Sequence, residues 1–274
     1  MDSPGDLLQA GRLADAIAAA EGQVKAAPAD VDRRWLLAEL LILAGQADRA
    51  DAQLDTLISL EPRAAVTATP LRQLLRAEAA RRQFFEEGRV PDLLDGADDA
   101  IRGRLEASVH VREGDPAAAG RCSAAAEAAR PPLPGVLTIR QPGGQGVEKP
   151  FTDFRDLDDV TAGVFEVLTH TGKYYWIPMD RVTSIEFSPP ERPLDLIWRK
   201  AHMIVRDAFE ADLHMPAVYG LLTDADDFSR LGRRTDWLGD ESSAVMGVGR
   251  RLFLVDGEEP IDMMDLESLH VSPA

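Results

Sequence analysis

A short phrase near the start of this chain recurs 34 residues later. The matching pairs are Leu7 and Leu41, Leu8 and Ile42, Ala10 and Ala44, Gly11 and Gly45, Ala16 and Ala50, and Pro28 and Pro62. Because every pair has the same offset, the sequence indicates a repeated structural unit. One such unit cannot bury its apolar face alone, so we expect neighbouring copies to stack into an array.

The offset is that of the tetratricopeptide repeat, a helix–turn–helix unit. In the second copy, apolar residues at helical spacing predict one helix over Asp32 to Ala44 and another over Ala47 to Leu60. Gly45 breaks the pattern between them, and Pro62 ends the unit. An array of this kind presents a concave surface and carries no chemistry of its own, so we interpret this part of the chain as a binding module.

The remaining copies are less regular. Pro4 lies inside what would be the first helix of the first copy, so that helix should start late. The residues that indicate a third copy are Gly114, Ala119 and Pro131, which follow Gly45, Ala50 and Pro62 by 69 residues. A strong helix predicted over Thr69 to Glu87 separates these copies, and we interpret it as an insertion. Three imperfect units are near the minimum for a stable array.

The composition changes after the helical region. Two breaks rich in Pro and Gly, at 131–135 and 141–146, mark a boundary or linker. Segments rich in β-branched and aromatic residues then predict strands. They are Val164–Leu168, Tyr174–Ile177, Val182–Phe187, Met203–Phe209, Leu213–Val218, Ser243–Val248 and Arg251–Val255, with a short helix near Asp224–Arg230. We therefore predict an α+β protein, with an all-α tetratricopeptide-like repeat domain at 1–133 and a mainly β domain at 148–274.

Charge and composition exclude several classes of protein. With 30 Lys and Arg against 47 Asp and Glu, the net charge is −17, which disfavours nucleic acid as a partner. The first residues lack the basic start and apolar core of a signal peptide, and no apolar run approaches the ~20 residues that span a bilayer. The single cysteine, Cys122, cannot form an internal disulfide. We therefore expect a cytoplasmic protein without membrane insertion.

The residues that could carry chemistry form no recognisable motif. The histidines show no recurrent metal-ligand spacing, and the Gly-rich stretch 143–146 lacks the Lys and the Ser or Thr of a phosphate loop. An acidic cluster from Asp153 to Asp159 could hold a hard cation, although the EF-hand spacing is absent. We expect no enzyme activity, no cofactor and no metal, and leave open whether this cluster binds a cation.

Further phrases along the chain form an ordered set. After the early Leu-Leu-x-Ala-Gly phrase they are Arg76–Arg81, Tyr174–Pro178, Pro193–Trp198, Met215–Tyr219, Arg233–Trp237 and Gly247–Arg251. In this order, over nearly the whole chain, they resemble the ImpE/TagJ family of type VI secretion accessory proteins. The family's Asp-x-Asp-Ser-Arg-Leu-Gly stretch keeps Asp156, Asp158 and Gly163 here, but its arginine and leucine are replaced. We therefore do not assign to this chain any role that the arginine has in the family.

The resemblance implies a non-enzymatic adaptor. Members of the family are associated with the contractile sheath of the secretion machine. They bind the small sheath subunit, in some cases through a helical segment of it, and are linked to the AAA+ ATPase that recycles contracted sheath. A helix laid in a groove is also a usual way for such a surface to bind a partner. The expected partners are therefore the small sheath subunit and, as a second candidate, the ATPase.

The predicted partner-binding site is the groove-facing side of the first helix of the second repeat. It carries Asp32, Trp35, Glu39, Ile42 and Leu43. An exposed Trp35 beside Glu39 would suit an amphipathic helix that carries a basic residue. The alternative is that Trp35 packs against the first thirteen residues of the chain.

Two other functions stay open on the sequence. An enzyme with its active site in the β domain would use Asp156, Asp158 and Arg234, and it requires these side chains to converge in a pocket with perturbed ionisation. A general repeat scaffold or chaperone unrelated to secretion would have the same helical array, because a fold does not determine a function.

Overall fold

Helices form the first half of the chain and strands form most of the second. The computed structural model describes residues 2–94, 96–141, 146–220, 225–240 and 242–272. The helices are α1 (Pro4–Gln9), α2 (Leu13–Ala26), α3 (Val31–Leu43), α4 (Ala47–Leu60), α5 (Ala65–Glu87), α6 (Asp99–Glu113), α7 (Pro116–Ala129) and α8 (Asp227–Arg230). In these ranges no helix is both long enough and apolar enough to cross a membrane. The predicted fold class is confirmed.

The first four helices form the two repeat units that the sequence predicts. Pro4 is the first residue of α1, so this helix starts late, and Ser3 caps it. The turns of the two units contain Gly11 and Gly45, whose φ angles of 75° and 70° lie in the left-handed region that favours glycine. Each helix from α1 to α5 packs on the next. The long helix α5 thus packs on the last helix of the second unit, and its interpretation as an insertion between copies of the repeat stays a prediction.

The strands form one large sheet and two small ones. They are β1 (Asp92–Leu93), β2 (Gly135–Ile139), β3 (Val147–Phe151), β4 (Phe154–Asp156), β5 (Val164–Leu168), β6 (Tyr174–Pro178), β7 (Val182–Phe187), β8 (Trp198–Val205), β9 (Phe209–Pro216), β10 (Thr235–Leu238), β11 (Met246–Gly249), β12 (Leu252–Val255), β13 (Glu259–Asp262) and β14 (Leu266–Val271). Over the described residues, the large sheet has the order β1-β6-β5-β9-β8-β7-β14-β2-β3. The small sheets are β13-β12-β4 and β10-β11.

The large sheet lies between the helices and the sheet β13-β12-β4. Side chains alternate between the two faces of a strand, so each face has its own core. On one face, Tyr174 and Trp176 of β6 are buried against the helices. On the other, Ile177 packs with Phe154 and Phe253 of the small sheet. Tyr174 and Trp176 therefore share a face, as the alternation of a strand requires.

The change from helix to strand falls between Ala129 and Gly135, at the first Pro- and Gly-rich break. Of the second break, and of the Gly-rich stretch within it, residues 142–145 lie outside the described residues. We refer to residues 2–129 as the helical half and to 130–272 as the β half. The two halves share one apolar core, and β1 of the helical half joins the large sheet beside β6. The division into domains at 1–133 and 148–274 stays a prediction.

Candidate functional site

All five residues of the predicted partner-binding site lie on α3. Asp32 is exposed in the first turn, and Trp35 is half-buried against the helical core. Glu39, Ile42 and Leu43 are buried. The five residues thus form one stripe along the helix, which is exposed at its N-terminal end and largely buried at its C-terminal end. Whether they contact a partner stays a prediction.

The C-terminal end of this stripe is covered by the chain itself. The 3₁₀ turn Pro193–Leu196 of the β half lies across α3. The Arg192 guanidinium, next to this turn, lies 3.9 Å from the carboxylate of Glu39, which also accepts a hydrogen bond of 3.1 Å from the Trp35 indole. Burial raises the pKa of Glu39. The β half therefore occupies part of the surface on which the sequence placed a partner helix.

A groove remains beside the covered stripe, between α5 and the β half. Its cavity volume is about 310 Å³. The large apolar residues that line it are Ile42, Leu43, Leu75, Ile197, Trp198 and Val218. The α5 wall is formed by Leu75, the adjacent pair Glu78 and Ala79, Arg82 and Glu86, so that lining positions recur every three or four residues. This wall extends for about 16 Å at ~1.5 Å per residue, which is three turns of a helix. Ile42 and Leu43 of the predicted set therefore contribute to an open groove.

A buried ionic network fixes α5 to the β half. Glu166 of β5 accepts two hydrogen bonds of 2.8 and 3.1 Å from the Arg81 guanidinium of α5. It also contacts Arg251, which in turn pairs with Asp156. These four side chains are almost fully buried. Although burial favours the neutral acid, Arg81 and Arg251 lower the pKa of Glu166 to about 2. Arg81 also pairs with the partly exposed Glu78 of α5 at 3.2 Å. The network therefore joins two buried guanidinium groups to two buried carboxylates and one partly exposed carboxylate.

Aromatic side chains complete this network. Tyr174 donates a hydrogen bond to Glu166 and accepts one of 2.6 Å from the Trp176 indole. The Tyr219 hydroxyl lies 3.1 Å from Asp156. A buried Tyr or Trp needs a partner for its polar atom, and each of these has one. The aromatic residues of the resemblance therefore act mainly as core in this part of the molecule.

The side chains required by the enzyme alternative do not converge. Asp156 and Asp158 are buried, and Asp158 accepts hydrogen bonds from main-chain N–H groups, including that of Gly247 at 3.0 Å. Arg234 lies elsewhere, on the surface, where it pairs with Asp226 at 3.2 Å. The two aspartates hold the fold together, and the three residues form no common pocket.

The acidic cluster also has internal partners. Asp153 pairs with Arg130 at 2.7 Å, and Asp159 accepts a main-chain hydrogen bond of 2.8 Å. Two histidines that lie 44 residues apart along the chain also meet, because Nε2 of His170 lies 3.2 Å from Nδ1 of His214. Across the described residues, no three His, Cys, Asp or Glu side chains are arranged to hold a metal ion.

The segment around α8 forms hydrogen bonds with both helices of the first repeat. The Asp227 carboxylate accepts a hydrogen bond of 2.9 Å from the Leu13 N–H at the start of α2. The Arg233 guanidinium donates bonds of 2.8 and 2.7 Å to the carbonyl oxygens of Leu8 and Gln9 at the end of α1. Each charge lies at the helix end of opposite partial charge, so both contacts stabilise the association of the two halves.

The phrases on which the resemblance rests meet in space. Arg81, Tyr174, Trp198, Tyr219 and Arg251 come from five of them, and all five residues are buried. The Trp198 indole joins the set through a 3.0 Å hydrogen bond to Glu78 of α5. The phrases of the resemblance therefore contain the residues that build the contact between the two halves. Their order along the chain did not reveal this role.

Comparison with known proteins agrees with these features. The ImpE protein family model matches residues 148–270, and a tetratricopeptide repeat model matches residues 7–69. The type VI secretion system accessory component TagJ of Pseudomonas aeruginosa is 32% identical over 269 residues, which is 98% of this chain and 90% of that protein. The crystal structure of a protein from Vibrio parahaemolyticus has a TM-score of 0.87 at 27% identity and covers 99% of this chain and 98% of its own. The predicted resemblance is confirmed, and the chain belongs to the ImpE/TagJ family of type VI secretion accessory proteins.

Proposed function

We propose that this chain is a non-enzymatic adaptor of a type VI secretion system. It binds a helix of the small contractile-sheath subunit and assists the link between that subunit and the AAA+ ATPase that recycles contracted sheath. A cytoplasmic location and action without a cofactor, both expected from the sequence, belong to the same proposal. Membership of the ImpE/TagJ family supports an accessory role, and the groove beside α5 supports binding of a helix.

The shape of the groove is the observation that carries the proposal. Its α5 wall presents side chains from Leu75 to Glu86 at spacings that match one face of a helix. Its floor includes Ile42, Leu43 and Trp198. An amphipathic helix that lays its apolar face into such a groove anchors itself through residues at i, i+3 or i+4, and i+7. The sheath helix would therefore lie along α5 with its apolar side towards α3.

The rest of the predicted stripe has a different part in this proposal. Asp32 and Trp35 lie at the accessible end of α3, where they would contact the portion of the partner that extends beyond the groove. Glu39 is covered, and its carboxylate orients the Trp35 indole through their hydrogen bond. Its contribution to binding would therefore be made through Trp35.

The proposal is tested by blocking the groove without disturbing the core. Ala79 is half-buried on the α5 wall, so Ala79→Phe would fill the groove from its side. Ala52→Phe on the exposed surface of α4 is the matched control. Affinity for the purified small sheath subunit, measured by isothermal titration calorimetry, should fall about tenfold or more in Ala79→Phe and remain unchanged in Ala52→Phe.

Two results would count against the proposal in different ways. If the unmodified chain does not bind the sheath subunit, the proposed partner is wrong. If it binds but Ala79→Phe has the affinity of the unmodified chain, the partner stands and the groove is wrong. The ATPase link is tested by retention of purified ATPase on the immobilised chain, which should increase when the sheath subunit is added.

A further inference from the structure

A second cleft lies on the other side of Leu43. It has a cavity volume of about 300 Å³ and separates α1 and the end of α3 from the β half. Its charged lining residues are Glu191, Arg192 and Arg233. We call it the arginine cleft, because two of its three charged residues are Arg192 and Arg233.

The walls of the arginine cleft are apolar and incompletely covered. Leu43 and Leu231 are buried at its base. Leu8, Pro193 and Leu196 are half-buried, so part of their apolar surface faces the open cleft. Apolar surface that lines a concavity and is rimmed by charge is typical of a place where another molecule binds.

The lining of the cleft is richer in arginine than the protein as a whole. The whole chain carries a net charge of −17, yet the lining residues include two arginines against one carboxylate, that of Glu191. Next to the lining, Glu39 lies 3.9 Å from Arg192, and Asp195 accepts main-chain hydrogen bonds from Glu191 and Arg192. Arg233 is exposed and donates to main-chain carbonyl oxygens, and it pairs with no carboxylate within the described ranges. Arg192 is half-exposed, and its contact with Glu39 is long, at 3.9 Å. Arg233 therefore keeps both donors and charge for a ligand, while Arg192 keeps donors beside its contact with Glu39.

We propose that the arginine cleft binds an acidic segment of a partner protein that carries a leucine-sized side chain. The apolar side chain would fill the space between Leu8 and Leu196. A neighbouring carboxylate would accept hydrogen bonds from Arg192 or Arg233, since guanidinium and carboxylate groups match in geometry and charge. A basic segment is disfavoured here, although the acidic surface elsewhere would attract it. This site is separate from the proposed sheath groove and does not depend on it.

Two short peptides test the charge preference directly. The probes are fluorescein-labelled Glu-Glu-Leu-Leu-Glu-Glu and Lys-Lys-Leu-Leu-Lys-Lys, titrated with the full-length chain and followed by fluorescence anisotropy. Methyl NMR of the leucine side chains locates the bound peptide. The acidic peptide should shift the signals of Leu8 and Leu196, and the lysine peptide should leave them in place.

Three variants separate the cleft from general electrostatics. Arg233→Gln should weaken binding of the acidic peptide about tenfold, since it removes one charged donor. Arg234→Gln, an adjacent exposed arginine that does not line the cleft, should leave the affinity unchanged. Glu191→Gln should strengthen binding, a gain that a misfolded protein would not give.

The proposal is overturned by any of four results. One is that the acidic peptide does not bind at millimolar concentration. Another is that the lysine peptide shifts the same leucine signals as strongly. The third is that Arg234→Gln weakens binding as much as Arg233→Gln, which would indicate nonspecific attraction to a charged surface. Concentration-dependent self-association that shifts these leucine signals without peptide would instead assign the cleft to a second copy of the chain.

Discussion

Glu166 lies inside the protein between two guanidinium groups, and its surroundings connect the two halves. Its carboxylate accepts hydrogen bonds from Arg81 and Tyr174 and contacts Arg251. A buried ion pair adds little to stability compared with a well-packed apolar substitute, because both charges lose their hydration. Removal of one partner is different, since it leaves the opposite charge buried and unmatched. The network therefore makes each of its members hard to replace singly.

Replacing Glu166 by glutamine should reveal this dependence. Glu166→Gln keeps the shape of the side chain but leaves Asp156, which pairs with Arg251, as the one fully buried carboxylate of the network, beside the partly exposed Glu78 that pairs with Arg81. We expect the free energy of unfolding at pH 7 to fall by about 3–5 kcal/mol. The measurement is urea unfolding followed by circular dichroism at 25 °C.

The matched control for this substitution is an exposed ion pair. Glu259 pairs with Lys149, and the Glu259 side chain is 50% exposed. Glu259→Gln should therefore change the free energy of unfolding by about 0–1 kcal/mol, the usual value for a surface pair. Equal losses in Glu166→Gln and Glu259→Gln would mean that the network contributes no more than a surface contact.

The sequence identified the strand around Glu166 but not its partners. Val164–Leu168 was predicted as a strand and is observed with the same limits. All five residues of this strand are buried. A glutamate at the centre of such an apolar run is therefore a sign in the sequence of a buried charge that needs partners. Arg81 and Arg251 each lie 85 residues from Glu166. Periodicity reports local geometry, and a pairing over that distance depends on the tertiary fold.

Helices were predicted more accurately than strands, for a physical reason. The limits of α4 are those predicted, and those of α3 differ by one residue at each end. By contrast, the predicted strand Met203–Phe209 spans the end of β8, the start of β9 and the turn between them. At that turn Asp207 has a φ of 54°, which an extended strand does not permit. A helical pattern extends over several turns, whereas a short β-turn without glycine gives little local signal.

The N-terminus of α2 is capped by a residue that is distant in sequence. Arg12 precedes this helix, but its side chain does not cap it. Instead, the carboxylate of Asp227 in α8 accepts a hydrogen bond from the Leu13 N–H. We expect Asp227→Ala to reduce the free energy of unfolding by about 1 kcal/mol, as for the loss of an ordinary N-cap. Amide hydrogen exchange at Leu13 should become faster, because its N–H loses its acceptor.

A local cap should replace the distant one. In the Asp227→Ala background, Arg12→Ser places a hydroxyl at the N-cap position of α2 and should recover part of the lost stability. Glu258→Ala, in an exposed turn, serves as the neutral control. Unchanged exchange at Leu13 in Asp227→Ala, or no recovery in the double variant, would show that Asp227 does not act as a cap.

The two halves together form a different binding surface from the one that a helical array alone would offer. In the isolated repeat pattern, α3 faces an open concave surface. In the protein, the turn Pro193–Leu196 lies across the C-terminal half of α3, and two clefts remain on either side of Leu43. No repeat pattern could predict this, because the covering residues lie about 150 positions further along the chain. The family phrases carried that information, since they build the contact between the halves.

Acid should therefore unfold both halves in one transition. The ordinary pKa of a glutamate is 4.5, and that of Glu166 is lowered to about 2 in the folded protein. Its stabilising contribution is thus complete above pH 4.5 and is lost as the pH falls towards 2. The fluorescence of Trp176 and Trp198 is followed in a background in which the other two tryptophans are replaced, Trp35→Phe and Trp237→Phe. Because the halves share one core and this network, this fluorescence and the helical ellipticity should report the same urea midpoint at each pH. That midpoint should fall steeply below pH 4.5 in the unmodified chain and less steeply in Glu166→Gln, which has no carboxylate to protonate at this position. Two separate midpoints, with fluorescence changing before ellipticity, would mean that the β half detaches from a helical half that remains folded.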